Sequence, residues 1–226
     1  MLTDFTQLDM GFEQEYASKE ELLFSYYVNE LLVGGWLKKA TYQPESFTLS
    51  KEQCVDVFIK KKNHNESKQI KILNKHSYTA DWELIWNKKA SGIFYWLDGG
   101  VYDQGVFPYS KPRKDKFIPF MAQNGDEGLT SYIDVKGEFV SQSNSSGITF
   151  PLNQKWIYNV LDLFIQKIVV SLSEKSIFAR TFTPRTIITS EVYKKDYKKG
   201  NKKAGDSKLK YTPILLEHWV KNKLAV

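Results

Sequence analysis

Apolar and polar positions along this chain fall into blocks with two different periods. From Ser18 to Val33, SKEELLFSYYVNELLV, apolar side chains cover most of a helical circumference, which predicts a largely buried helix. Ser18 and Glu21 have capping-box spacing, and Gly34-Gly35 follow as a stop. One narrow polar stripe, Glu21, Ser25 and Asn29, runs along the helix at i, i+4 and i+8, and is expected to point at something. Period-two stretches follow. SFTLS at 46–50 and KQIKIL at 68–73 predict strands, and HSYTADWELIW at 76–86 predicts a turn leading into one. In that strand Asp81, Glu83 and Ile85 share one face, and Trp82, Leu84 and Trp86 the other. Residues 88–130 show no clear period, are rich in Gly, Pro and aromatics, and read as irregular, with a DGG turn at 98–100. In SYIDVKGEF, 131–139, Ile133 and Val135 alternate with Asp134 and Lys136, and Gly137 ends the run. Pro151 is expected to open a helix, PLNQKWIYNVLDL. FIQKIVV at 164–170 and TIITSEVY at 186–193 predict strands, and a final helix is expected near 213–223. Helices alternating with strands predict an α/β or mixed α+β fold around a central sheet.

Composition narrows the classes. The 226 residues fit one domain, and 42% apolar and 15% aromatic content excludes a disordered chain. No apolar run approaches the roughly 18 residues of a membrane span. MLTDFTQLDM has no basic n-region, so no signal peptide is expected, and the protein is read as soluble and cytoplasmic. Cys54 is the single cysteine, and His64, His76 and His218 lack metal-ligand spacing. The net charge of +6 is compatible with a polyanionic partner. Eight lysines and two aspartates crowd residues 194–210, read either as a solvated loop or as a mobile arm for phosphates.

An acid, one residue, then lysine occurs four times: at Glu66–Lys68, Asp134–Lys136, Asp196–Lys198 and Asp206–Lys208. Three of these lie in polar, loop-like sequence; the one at 134–136 lies between β-branched residues. Asp134 and Lys136 are read either as a solvated strand face or as a catalytic carboxylate–ammonium pair. SYTADW at 77–82 supplies a second carboxylate, Asp81, at the start of a strand. Asp81, Asp134 and the main-chain carbonyl of Val135 could hold Mg²⁺, or Mn²⁺, which needs few protein carboxylates, while Lys136 orients water or neutralises phosphate charge. Glu21 is a third carboxylate or simply half of the capping box. Gln154 and Tyr158 share one helix face, as a site element or as plain helix surface.

These motifs resemble those of the PD-(D/E)XK nuclease superfamily. Glu21 in SKEE, Gln43-Pro44-Glu45-Ser46-Phe47, YTADW with Asp81, and IDVKG are similar, in order, to the pattern of its small phage and transposon branch. Gln154 and Tyr158 resemble the Q-x-x-x-Y element of the lambda-exonuclease-like branch. Ala80 stands where the family usually has Pro, and Asp134 where Glu is commoner. The resemblance covers about residues 18–160. It implies a mixed sheet flanked by helices, a restriction-endonuclease-like core, with 88–128 as an insertion. It also implies Mg²⁺-dependent hydrolysis of nucleic acid, most readily DNA. With no target-recognition domain in view, a phage-like endonuclease for junctions or flaps is expected. Its site would use Glu21, Asp81, Asp134, Lys136, Gln154 and Tyr158, and a homodimer is one candidate assembly. The alternatives are a non-catalytic nucleic-acid-binding protein and a phage structural or adaptor protein.

Overall fold

The computed structural model describes residues 15–62, 64–97, 117–138, 145–189 and 209–225. It is a mixed α+β fold with a central mixed sheet. The first helix, α1 (Lys19–Val33), begins where the sequence predicts: the Ser18 side chain accepts from the Glu21 amide, and Gly34 closes the last turn on Glu30. The chain then runs through β1 (Leu37–Tyr42), β2 (Phe47–Ser50), β3 (Gln53–Lys60), β4 (Asn65–Leu73), β5 (His76–Tyr78) and β6 (Trp82–Trp86). Next come β7 (Tyr95–Leu97), β8 (Phe120–Gly125), β9 (Gly128–Lys136), α2 (Ser145–Leu161) and β10 (Ile165–Val169). Three short helices finish it: α3 (Ile177–Arg180), α4 (Arg185–Thr189) and α5 (Leu216–Leu224).

The central sheet has six strands in the order β1-β6-β9-β8-β7, with β10 also on β9. β9 is antiparallel to β6 and β8, and parallel to β10. Strand alternation sends its side chains to two different layers. Ile133 and Val135 join Phe24, Tyr27 and Leu31 of α1 and Trp82, Leu84 and Trp86 of β6 in the main core. On the other side Leu49, Phe150, Ile157 and Ile165 form a smaller core, against which Tyr78 and Tyr132 pack. Among the described residues no helix is long and apolar enough to cross a membrane.

Four expectations change. Residues 88–130 are not irregular where described: they contribute β7 and β8 to the sheet, while 98–116, with the DGG turn, lie outside the described residues. Pro151 does not open α2 but lies inside it, with Phe150 before it buried against Ile157 in the smaller core. TIIT is helix α4 rather than strand. The Pro184 carbonyl accepts from the amides of Ile187 and Ile188, and burial of Ile187 outweighs the β-branched preference. Glu66–Lys68 is not loop but part of β4. Residues 190–193 of the strand expected at 186–193, and 194–208 of the lysine-rich stretch at 194–210, lie outside the described residues.

Candidate active site

The site forms where β6 begins beside the end of β9. Asp81 ends the break between β5 and β6, and its backbone is clamped on both sides: its amide donates to the Ile133 carbonyl at 2.9 Å, and its carbonyl accepts from the Gln43 amide at 2.9 Å. Its side chain then reaches across the strands, and Oδ2 accepts from the Val135 amide at 2.7 Å. This sets the Asp81 carboxylate beside Asp134, on the neighbouring strand.

Asp134 is only 3% exposed, so the reading of a solvated strand face does not describe it. A buried carboxylate needs partners. Tyr78 donates its hydroxyl to Asp134 Oδ2 at 2.8 Å, and Lys136 donates its ammonium to Oδ1. Lys136 Nζ also stands 4.0 Å from Asp81 Oδ2 and 6.0 Å from the centre of the Phe150 ring. Asp81, Asp134 and Lys136 are therefore one cluster, with two carboxylates to one ammonium. The Asp81 and Lys136 side chains are each about one-fifth exposed, so the cluster opens to solvent on their side.

That imbalance shows in the proton affinities. Burial, and then the Asp134 charge, push the Asp81 carboxyl up to about 7, with Lys136 and the Val135 amide opposing. Burial, and then the same Asp134 charge, raise the Tyr78 hydroxyl. A buried site short of positive charge is suited to a cation, and two adjacent carboxylates fit Mg²⁺, which keeps much of its water shell.

Glu21 does not complete a set of three. Among the described residues no group of three or more His, Cys, Asp or Glu side chains could hold a metal ion. The Glu21 carboxylate accepts from Ser18 Oγ at 2.8 Å and from the Tyr42 hydroxyl, so it serves the helix start. It is linked to the pair through Tyr42, which burial, then the bond to Glu21, and more weakly the Asp81 charge, push up to about 12. The polar stripe ends there, because Ser25 bonds back to the Leu22 carbonyl of its own helix. Glu20 lies instead at the end of β9: a side chain at Gly137 would come within 3.2 Å of its Oε1.

Gln154 and Tyr158 lie on α2 and make no hydrogen bond to Asp81, Asp134 or Lys136 among the described residues. Gln154 donates to the Ile165 carbonyl at 2.6 Å and ties α2 to β10, and Tyr158 is exposed.

No family model, curated protein or solved structure matches the chain. The reading of the site therefore rests on its geometry. Three participants have no site role in the sequence reading, although Gln43 and Tyr78 fall within the motifs quoted there. Tyr78 stands three residues before Asp81 and was visible as an aromatic in an otherwise polar turn. Tyr42 and Gln43 are the others. Gln43 has φ +46°, a left-handed conformation costly for glutamine, held by its bond to the Asp81 carbonyl and by a 3.3 Å bond from its side chain to the Tyr42 hydroxyl. Its place in QPESF, ahead of a proline, was the available signal.

Proposed function

We propose that the chain is a metal-dependent nuclease of the PD-(D/E)XK type, acting on DNA and built on a restriction-endonuclease-like core. The observation that carries this reading is the convergence of Asp81, Asp134 and Lys136 from two adjacent strands into one partly open cluster. Asp81 and Asp134, with the Val135 carbonyl, would hold Mg²⁺ or Mn²⁺. When bound, the ion supplies Lewis acidity and charge neutralisation at the scissile phosphate. The protein's own groups do the rest. The Val135 amide and the backbone clamps fix Asp81, and Tyr78 fixes Asp134. Lys136, which donates to Asp134 here, would orient the attacking water or neutralise charge that develops on the phosphate. Glu21 supports this arrangement through Tyr42 rather than as a ligand.

A second reading, a nucleic-acid-binding protein without catalysis, draws on one observation: Lys136 and Tyr78 already occupy both oxygens of Asp134. Cleavage of a labelled panel separates the two: linear duplex, flap, four-way junction and single strand, each with Mg²⁺, Mn²⁺ or EDTA. The nuclease reading expects metal-dependent cutting, with flap or junction preferred. Binding of the panel with no cutting in either metal gives the site to the second reading.

A further inference from the structure

Among the described residues the β3–β4 hairpin belongs to no larger sheet, and its two strands pair only with each other. A two-stranded ribbon alone is marginally stable in water. Its residues are almost all exposed, including Phe58 at 75% and Val55, Ile59 and Ile70 at just over 40%. With eight residues in β3, the ribbon projects about 25 Å at the usual rise per residue. It is also rooted at the site, because it leaves the fold between β2 and β5, and β5 carries Tyr78, the partner of Asp134.

Charge decides what it fits. Residues 51–75 hold seven lysines and three acids, a net +4 out of the chain's +6. Lys61 and Lys71 are paired with Glu66 and Glu52, whereas Lys60, Lys62 and Lys68 make no ion pair among the described residues. Val55, Val57 and Ile59 share one face with Ile70, and Phe58 lies on the other, but each face also carries a lysine, Lys68 opposite Val57 on the first and Lys60 beside Phe58 on the second, so neither is the charge-free apolar centre of a protein interface. A narrow basic ribbon whose apolar side chains are interleaved with lysines matches a duplex groove, where lysines meet phosphates and apolar groups meet sugars and base edges.

We propose that the β3–β4 ribbon is a nucleic-acid-gripping arm that lies along the DNA duplex flanking the cut site, with Lys60, Lys62 and Lys68 on phosphates. This rests on the nuclease reading for the position of the cut, but binding tests the arm independently. The probe is a fluorescent duplex of about 30 base pairs, titrated in EDTA with the full chain across a salt series. Neutralising Lys60, Lys62 and Lys68 to Gln should weaken binding at least tenfold at ~0.1 M salt, and lower the slope of log K against log salt by about 2 to 3. A matched variant that neutralises Lys38, Lys88 and Lys221 should lose about twofold or less, since long-range charge is screened at that salt. Cleavage at saturating DNA with Mg²⁺ should be unchanged in the arm variant. If the wild type binds duplex and the arm variant binds equally well with the same slope, the arm proposal is overturned and the nuclease reading stands. If the arm variant loses affinity but the wild type cuts nothing, the arm stands and the nuclease reading falls. Failure of the wild type to bind the duplex overturns the arm proposal and leaves the nuclease reading to the cleavage panel. Sedimentation supplies the remaining outcome: a wild-type dimer that Ile59→Ser with Ile70→Ser splits would make the ribbon an interface between copies, and would overturn the proposal.

Discussion

The chain places one spacing, an acid, a residue, then a lysine, on two strands with opposite consequences. Glu66-Ser67-Lys68 lies on β4, and Asp134-Val135-Lys136 on β9. In both, period two puts acid and lysine on the same side. On β4 the Glu66 side chain is 47% exposed and pairs with Lys61 across the turn, a surface ion pair worth little. On β9 the Asp134 side chain is 5% exposed, and it holds a lysine, a tyrosine and a second carboxylate in one network. The difference lies in what each strand is packed on. β9 is flanked by β6, β8 and β10, carries Ile133 and Val135 into the main core and packs its other face on the smaller one, so Asp134 is buried and its charge interacts strongly. β4 has water on both faces.

Substitutions can sharpen the contrast, beginning with the largest effect. Asp81→Asn should lower the single-turnover rate of Mg²⁺-dependent cleavage by about 10²-fold or more, since it removes a charge aimed at the reacting centre. A rate within about threefold of wild type, read against a standard value for loss of one electrostatic group, would remove Asp81 from the site.

Metal should act next. Mg²⁺ at about 100 times its dissociation constant should stabilise the fold by about 2.7 kcal/mol, a Tm rise on the order of 5–10 °C for a chain of this size, and calorimetry should find the rise absent in Asp81→Asn. Without metal the pH dependence takes a definite sign. Asp81 holds its proton more tightly folded than unfolded, so the stability this gives is complete below the ordinary value of 3.8 and lost as pH rises through about 7. Tm measured in EDTA should therefore decline across that window, less steeply in Asp81→Asn, and Mg²⁺ should oppose the decline because it binds the ionised pair. A metal-free Tm that is flat from pH 4 to 7 would contradict the tighter proton binding that burial, and then the Asp134 charge, give Asp81.

Tyr78→Phe should cost about 1–3 kcal/mol in urea unfolding, because it takes a donor from a buried carboxylate. Glu66→Gln should stay within about 0.5 kcal/mol, as befits an exposed pair.

The parts of this fold that are legible in the sequence are those decided locally. Ser18, Gly34 and the apolar run between them specify α1 without help from the rest of the chain. The alternation of Ile133 and Val135 with Asp134 and Lys136 marks β9 because one of its faces enters the main core and the other carries the polar cluster beside the smaller core. The parts misread are those that tertiary packing decides. FMAQNG, with a glycine and two amides, carries a weak strand signal, yet β8 pairs β9, and Gln123 bonds the Phe164 amide and carbonyl. TIIT has strand-like composition but starts a helix at Pro184. Within the site, Asp81, Asp134 and Lys136 were visible as polar residues inside strand pattern. The roles of Tyr78 and Tyr42 are not legible there, because a tyrosine among polar neighbours acquires its role only when a distant carboxylate is brought to it. Glu21 was visible for two roles, and its geometry favours the helix cap and Tyr42.

The central claim is that burial on β9 turns this spacing into a catalytic site, while exposure on β4 leaves it as surface. The most direct measurement is single-turnover cleavage with Mg²⁺, at saturating concentration of the best substrate, for Asp134→Asn beside Glu66→Gln. The account predicts that the first variant loses cutting while remaining folded and that the second cuts at the wild-type rate. Equal rates in the two variants, or a wild type that cuts no nucleic acid with either Mg²⁺ or Mn²⁺, would contradict it.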